Sequence, residues 1–197
     1  MALLAAAGPD QTTTPPASAA VVQAPAAGTG RLADKLVNDP RTAMWTVYGT
    51  GQTSEVLPTG GPQNYPATRV TVRNRGAHAW DVGAGSPLTK PIAAGDTVLM
   101  AAYLRAPLLR DGVTTTVSYF GVNQGAPPYD MVAQSTATVT NQWKLFYASG
   151  RASKAYAADA ISASIHLASE GHVIDLGPVR VFDLGHDVDP ASLPKND

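Results

Sequence analysis

The sequence predicts an all-β chain, a two-sheet antiparallel β-sandwich preceded by a disordered N-terminal extension. Three observations predict it. From Arg31 onward, short segments are punctuated by Gly, Pro, Asn and Asp, with almost no sustained helical period. The stretch from Gly171 to Gly185, GHVIDLGPVRVFDLG, spells two short strands broken at Gly177-Pro178 that end the folded part. Residues 1–30 consist largely of Ala, Pro, Thr, Gly and Gln, and cannot bury enough apolar surface to offset their ordering entropy.

A chain of 197 residues suits one such sandwich plus an extension. The expected organisation is a linker or signal remnant over 1–30, a domain over 31–190 and a tail over 191–197. Charged residues make up 15% of the chain and the formal net charge is -1, so there is no electrostatic footprint for nucleic acid or an anionic membrane. Cysteine is absent, which excludes disulfides and thiolate metal sites. No stretch approaches the ~18 apolar residues of a membrane-spanning helix. The opening Met1-Ala-Leu-Leu-Ala-Ala-Ala-Gly has the apolar run and small residues of a trimmed secretory signal without its positive start; a flexible leader is the equal alternative.

Leu32, Leu36 and Val37 lead to a turn at Asn38-Asp39-Pro40, and Met44 to Tyr48 is the first expected strand. Gly49 to Pro66, rich in Gly, Pro, Thr and Gln, reads as a long loop. Ala67 to Arg73 alternates as a strand with Val70 and Val72 on one face, and His78 to Val82 carries Trp80 in a short strand or loop. After a turn at Gly95-Asp96, Thr97 to Ala106 places Val98, Met100, Ala102 and Leu104 on one face and Leu99, Ala101, Tyr103 and Arg105 on the other. Thr114 to Val122 is a strand by its β-branched and aromatic content, and the loop to Pro128 delivers Tyr129. Thr136 to Thr140 and Trp143 to Ser149 follow. Lys154 to Ala160 suggests a helical turn. Ile161 to Leu167 then gives the clearest alternation, with Ser162, Ser164 and His166 outward. The tail after Gly185 is expected to be extended and weakly ordered. A jelly roll is the simplest closed arrangement of so many short strands.

Several pieces occur in a recognisable order: Trp45 after the Asn-Asp-Pro turn, Arg-Val-Thr-Val-Arg before Trp80, Gly95-Asp96 before Ala-Tyr-Leu-Arg-Ala, Trp143-Lys144 before Tyr147, and Ile165-His166-Leu167 before Ile174-Asp175. That order resembles the jelly-roll carbohydrate-binding modules appended to bacterial xylanases and glucanases, over roughly residues 31–190. The ending resembles exported proteins of polysaccharide-degrading proteobacteria. The resemblance implies a secreted or periplasmic domain that binds a polysaccharide or oligosaccharide on the concave face of one sheet, through aromatic stacking and polar contacts.

The residues that the resemblance assigns to such a face are Trp80, as the stacking ring, and His166 on the polar side of its strand. Packing under the Gly-rich loop is the alternative for Trp80, and plain solvent exposure for His166. Tyr129 would frame the groove or anchor its own loop. Tyr103 and Arg105 share a face, where Arg105 donates to sugar oxygens or pairs with Asp81 or Asp96. Only one of Tyr119 and Phe120 faces outward, so Tyr119 is the candidate, and Gln124 offers an amide. Trp45, Trp143 and Phe182 are assigned to packing. The resemblance also implies a structural calcium at Asn38, Asp39 and Asp175, although Leu176 stands where many members have a second acid.

No catalytic motif is present. Gly83-Ala84-Gly85-Ser86-Pro87 is not a nucleophile elbow, and His186 to Asp189 lies in a proline-bounded tail. Two further readings stay open. One is a polysaccharide lyase or other carbohydrate-active enzyme using Tyr103, Arg105, His166 and Gln124; the other is a structural or protein-docking domain that binds no sugar.

Overall fold

The computed structural model describes residues 31–40 and 45–196. The expectations for residues 1–30 and for Met44 lie outside the described residues. Among these, ten strands form two five-stranded antiparallel sheets, which is the predicted sandwich. The first sheet contains β1 (Thr46–Gly49), β4 (Val82–Pro87), β9 (Ile161–His166), β6 (Thr115–Gln124) and β7 (Met131–Val139), in that order. The second contains β2 (Gln52–Leu57), β3 (Ala67–Val72), β10 (His172–Asp183), β5 (Thr97–Arg105) and β8 (Lys144–Arg151). No helix among the described residues is long and apolar enough to cross a membrane.

The core lies between the sheets, where alternation predicts it. Val98, Met100, Ala102 and Leu104 of β5 face Ile161, Ala163 and Ile165 of β9 across a layer that also holds Phe120 and Phe146. Each of these strands sends every second side chain into the core, so a one-residue slip would turn its core set outward.

Four expectations change. The closing segment is one strand, not two: β10 runs unbroken from His172 to Asp183, with an irregularity between Leu176 and Val179 that absorbs Gly177-Pro178. Proline has no N–H to give the ladder, so it sits where pairing lapses. The Gly177 carbonyl instead accepts from the Trp45 indole at 2.9 Å. The Gly49–Pro66 loop contains β2, whose six residues are all at least partly exposed and which is recruited by pairing with β3 alone. Lys154 to Ala160 is no helical turn; Tyr156 bridges to Ile92.

The tail is fastened down. The Asn196 side chain accepts from the Tyr147 amide and donates to the Tyr147 and Thr136 carbonyls, so it ties β7 to β8 at the open side of the sandwich. Arg151 donates to the His186 and Val188 carbonyls.

The two sheets differ in charge. None of the strands of the first sheet carries Asp, Glu, Lys or Arg. The second sheet holds all the strand charges, among them Glu55, Arg69, Arg105 and Asp175.

Candidate functional site

The outer face of the first sheet is built in rows, because antiparallel register places outward residues side by side. One row reads Tyr48, Gly83, His166, Tyr119 across β1, β4, β9 and β6. The next reads Thr46, Gly85, Ser164, Gly121, Gln134, and a third Pro87, Ser162, Asn123, Met131. The first row is aromatic and the second holds only glycines and uncharged polar residues.

The glycines shape this relief. A Cβ on Gly83 would lie 2.6 Å from Cζ of Tyr48, so the Tyr48 ring rests directly on the Gly83 backbone. At Gly85 a Cβ would meet nothing nearer than the Ala163 carbonyl at 3.9 Å, which leaves open space above that strand.

Trp80 enters from the β3–β4 connection. Residues Ala79–Asp81 form a 3-10 turn, closed by the Asp81 carboxylate accepting from the His78 amide at 2.8 Å. The turn hangs on the β9–β10 connection: the Ala168 amide donates to the Ala79 carbonyl, the Leu167 amide to that of Val82, and the Gly76 amide to that of Ala168. Trp80 is thereby held at the end of β9, 58% exposed. Its ring stacks on His78 with centroids 4.6 Å apart and stands edge-on to His166 at 6.4 Å. His166 in turn stacks on Tyr119 at 4.4 Å. The result is a continuous stack of rings from the exposed His78 and Trp80 through His166 to the buried Tyr119, with the exposed Tyr48 in the same row across Gly83.

His166, Tyr48 and Tyr119 are uncharged at neutral pH. Burial pushes the His166 imidazole below its ordinary value and holds the Tyr48 phenol up. The Tyr119 phenol is raised further, by burial first and by Tyr48 second. Its hydroxyl oxygen is buried without a hydrogen-bond partner, as is Oδ1 of Asn123 two rows away on the same strand.

Of the residues singled out in the sequence, Trp80, Tyr119 and His166 come together here. Phe120 is core, which settles the choice between it and Tyr119. Gln124 and Tyr129 lie at the far end of β6 from this cluster; Gln124 pairs opposite the core residue Ile161, and Tyr129 stands exposed in the loop beyond. Tyr103 and Arg105 do not belong to this face. They project from the outer side of the second sheet, because they alternate with the buried residues of β5. Arg105 pairs with neither Asp81 nor Asp96; its Nε donates to Asp175 at 2.8 Å and its guanidinium lies 4.7 Å from the centre of the Trp143 ring. Tyr103, Arg105, His166 and Gln124 therefore form no single catalytic constellation. Trp45 and Phe182 are packed as expected.

The residues assigned to calcium do not fit that ion. The buried Asn38 amide is consumed by the backbone of β10, donating to the Val179 carbonyl and accepting from the Val181 amide. Asp175 is fully buried and spanned by two guanidiniums, Arg69 at 2.7 and 3.0 Å and Arg105 at 2.8 Å. A divalent cation there would compete with two fixed positive charges. Among the described residues no group of three or more His, Asp or Glu side chains could hold a metal.

Sequence reasoning missed Tyr48, His78, Gly83 and Gly85. The signal for Tyr48 was its alternation with Val47; for the glycines it was their two-residue spacing within a strand.

No family model and no curated protein sequence matches the chain. Solved structures do. The arabinose-bound GH51 α-L-arabinofuranosidase superposes with a TM-score of 0.57 at 14% identity, over 79% of this chain and 27% of that one. The CBM22-1–GH10 modules of Clostridium thermocellum endo-1,4-beta-D-xylanase 10B, complexed with xylohexaose, give 0.55 at 12%, over 79% and 30%. The N-terminal cellulose-binding domain of Cellulomonas fimi beta-1,4-glucanase C gives 0.52 at 19%, over 78% and 93%. The chain thus spans less than a third of the first two and nearly all of the third. At these identities the likeness is one of fold, and the fold is that of the xylanase- and glucanase-associated binding modules.

Proposed function

We propose that this domain is a non-catalytic carbohydrate-binding module of an exported protein, and that the outer face of its first sheet takes a neutral polysaccharide of the xylan or glucan class. The observation that carries the reading is the Trp80, His166, Tyr119 and Tyr48 cluster beside a glycine and serine floor on a sheet without a charged strand residue. A pyranose ring presents axial C–H groups to an aromatic face, and burying such a ring contributes roughly 1.5–3 kcal/mol. The Ser162, Ser164, Asn123 and Gln134 side chains, all polar and uncharged, suit hydroxyls. A uronan or sulfated glycan would find no cation on these strands to pair with its charge. The solved neighbours support the reading, one being described with xylohexaose and one as cellulose-binding.

The test is affinity electrophoresis in gels containing xylan, mixed-linkage glucan or polygalacturonate, with Trp80→Ala run beside the wild type. Retardation is expected in a neutral polysaccharide, and the variant loses about tenfold or more in affinity. Because Trp80 is largely exposed, its thermal stability stays that of the wild type. Migration unchanged in every neutral gel, retardation by polygalacturonate alone, or an unaffected variant would overturn the reading.

A further inference from the structure

Behind the Trp80 turn lies a polar cluster made of the buried His172 and Thr115 and the exposed Glu170. His172 at the start of β10 and Thr115 at the start of β6 are both buried, and they join the two sheets. His172 Nδ1 is 2.8 Å from Thr115 Oγ1, and the same hydroxyl is 2.8 Å from Glu170 Oε2. On its other side His172 Nε2 is 2.9 Å from the Leu167 carbonyl.

Hydrogen counting fixes the tautomer. A carbonyl oxygen only accepts, so Nε2 carries the hydrogen and donates it to Leu167. In the neutral ring Nδ1 is then a bare acceptor. Thr115 owns one hydroxyl hydrogen, yet it faces two acceptors, Nδ1 and the Glu170 carboxylate. Within the cluster one acceptor goes without a hydrogen, and Glu170 competes with Nδ1 for the one that Thr115 has. Burial is the leading influence on His172 and lowers its affinity for a proton, against the opposing Leu167 carbonyl and Glu170 charge, which is consistent with the neutral ring.

What the cluster holds is the β9–β10 connection. Leu167, whose carbonyl His172 grips, donates its amide to Val82, and the next residue, Ala168, donates to Ala79. Ser169 fastens the same connection to the Thr116 carbonyl. Ala79 and Val82 flank Trp80. The path from the imidazole to the indole therefore runs through the His172–Leu167 hydrogen bond and then two parallel backbone hydrogen bonds to either side of the Trp80 turn.

We propose that His172 is a positioning residue for Trp80: it locks the β9–β10 connection on which the Ala79–Asp81 turn hangs, and Glu170 leaves that lock one hydrogen short. The consequence is specific. Glu170→Gln supplies the missing donor, since its amide hydrogen reaches Thr115 Oγ1 and frees the hydroxyl hydrogen for Nδ1. Removing a carboxylate should tighten the turn, where loss of an ordinary contact would loosen it.

The experiment compares wild type, His172→Leu, His172→Gln and Glu170→Gln by the heteronuclear NOE of the Trp80 indole N–H, and by affinity for xylohexaose. The affinity arm rests on the sugar-binding reading above; the NOE arm needs no ligand. In His172→Leu the Trp80 NOE drops toward that of a mobile side chain while the Trp45 indole stays rigid, and affinity falls about tenfold, the value of a buried hydrogen bond at the upper end. Glutamine at 172 both donates and accepts, so it restores most of both. Glu170→Gln raises the Trp80 NOE and tightens binding about twofold. An unchanged Trp80 NOE in His172→Leu, or a loosened one in Glu170→Gln, overturns the proposal. Should His172→Leu not fold, the surface variant Glu170→Gln decides alone. A wild type that binds no sugar, with the NOE changes as stated, refutes the proposed function and leaves the lock standing.

Discussion

His166 lies face to face with Tyr119, ring centroids 4.4 Å apart, at the end of the middle strand of the sheet without charged strand residues. Its imidazole is partly buried and pushed below its ordinary value by desolvation. The unfolded chain protonates this group near pH ~6.5, whereas the folded chain resists until lower pH. More protons are then bound by the unfolded state, so stability is full above that pH, declines as pH falls toward the folded value and levels off below it. The lowered His172 acts in the same direction. Melting temperatures from pH 8 to 5 should therefore fall on acidification in the wild type and fall less steeply in His166→Gln. Parallel curves for the two proteins would refute this account of His166.

Gly85 has open space above it and flanks the aromatic row, which makes it the place to fill the floor without disturbing the fold. Valine favours strand geometry and gains chain entropy over glycine, so Gly85→Val should leave the melting temperature unchanged or raise it. The same side chain would stand where a sugar ring approaches the Tyr48 and His166 row. Titration with oligosaccharide should show affinity reduced about tenfold or more. Binding equal to the wild type would place the ligand elsewhere on the molecule.

The elements legible in the sequence were those whose alternation is enforced by a core. β5 and β9 put every second residue into the core, and both were read with their faces correct. β2 was lost because neither of its faces is buried, and β4 because Gly83 and Gly85 mask its period of two. For the candidate site, the resemblance pointed to Trp80 and His166 and parity put only one of Tyr119 and Phe120 outward; the structure brings Trp80, Tyr119 and His166 together. Tyr103 and Arg105 fall on the other sheet, which parity could not foresee: it separates the two sides of a strand but does not say to which sheet the strand belongs. The pairing of Asp175 with Arg69 and Arg105 spans up to 106 residues of sequence, and no local pattern announces it.

That triad carries the last prediction. Asp175 is fully buried with both oxygens engaged, while the guanidiniums of Arg69 and Arg105 remain partly open to solvent. Removing the carboxylate strands two like charges side by side, whereas removing either arginine leaves Asp175 one partner. Asp175→Ala should therefore cost about 3 kcal/mol or more in urea denaturation, with Arg69→Met and Arg105→Met each costing distinctly less. Asp175→Asn keeps the shape and loses the charge, so it should lie close to Asp175→Ala if electrostatics dominate. Since the triad sits on the second sheet, whatever folded fraction remains should bind sugar with wild-type affinity. A loss under about 1 kcal/mol for Asp175→Ala would mean that the two arginines find solvent or Glu55 at little cost and that the triad is not what secures β3, β10 and β5 to one another.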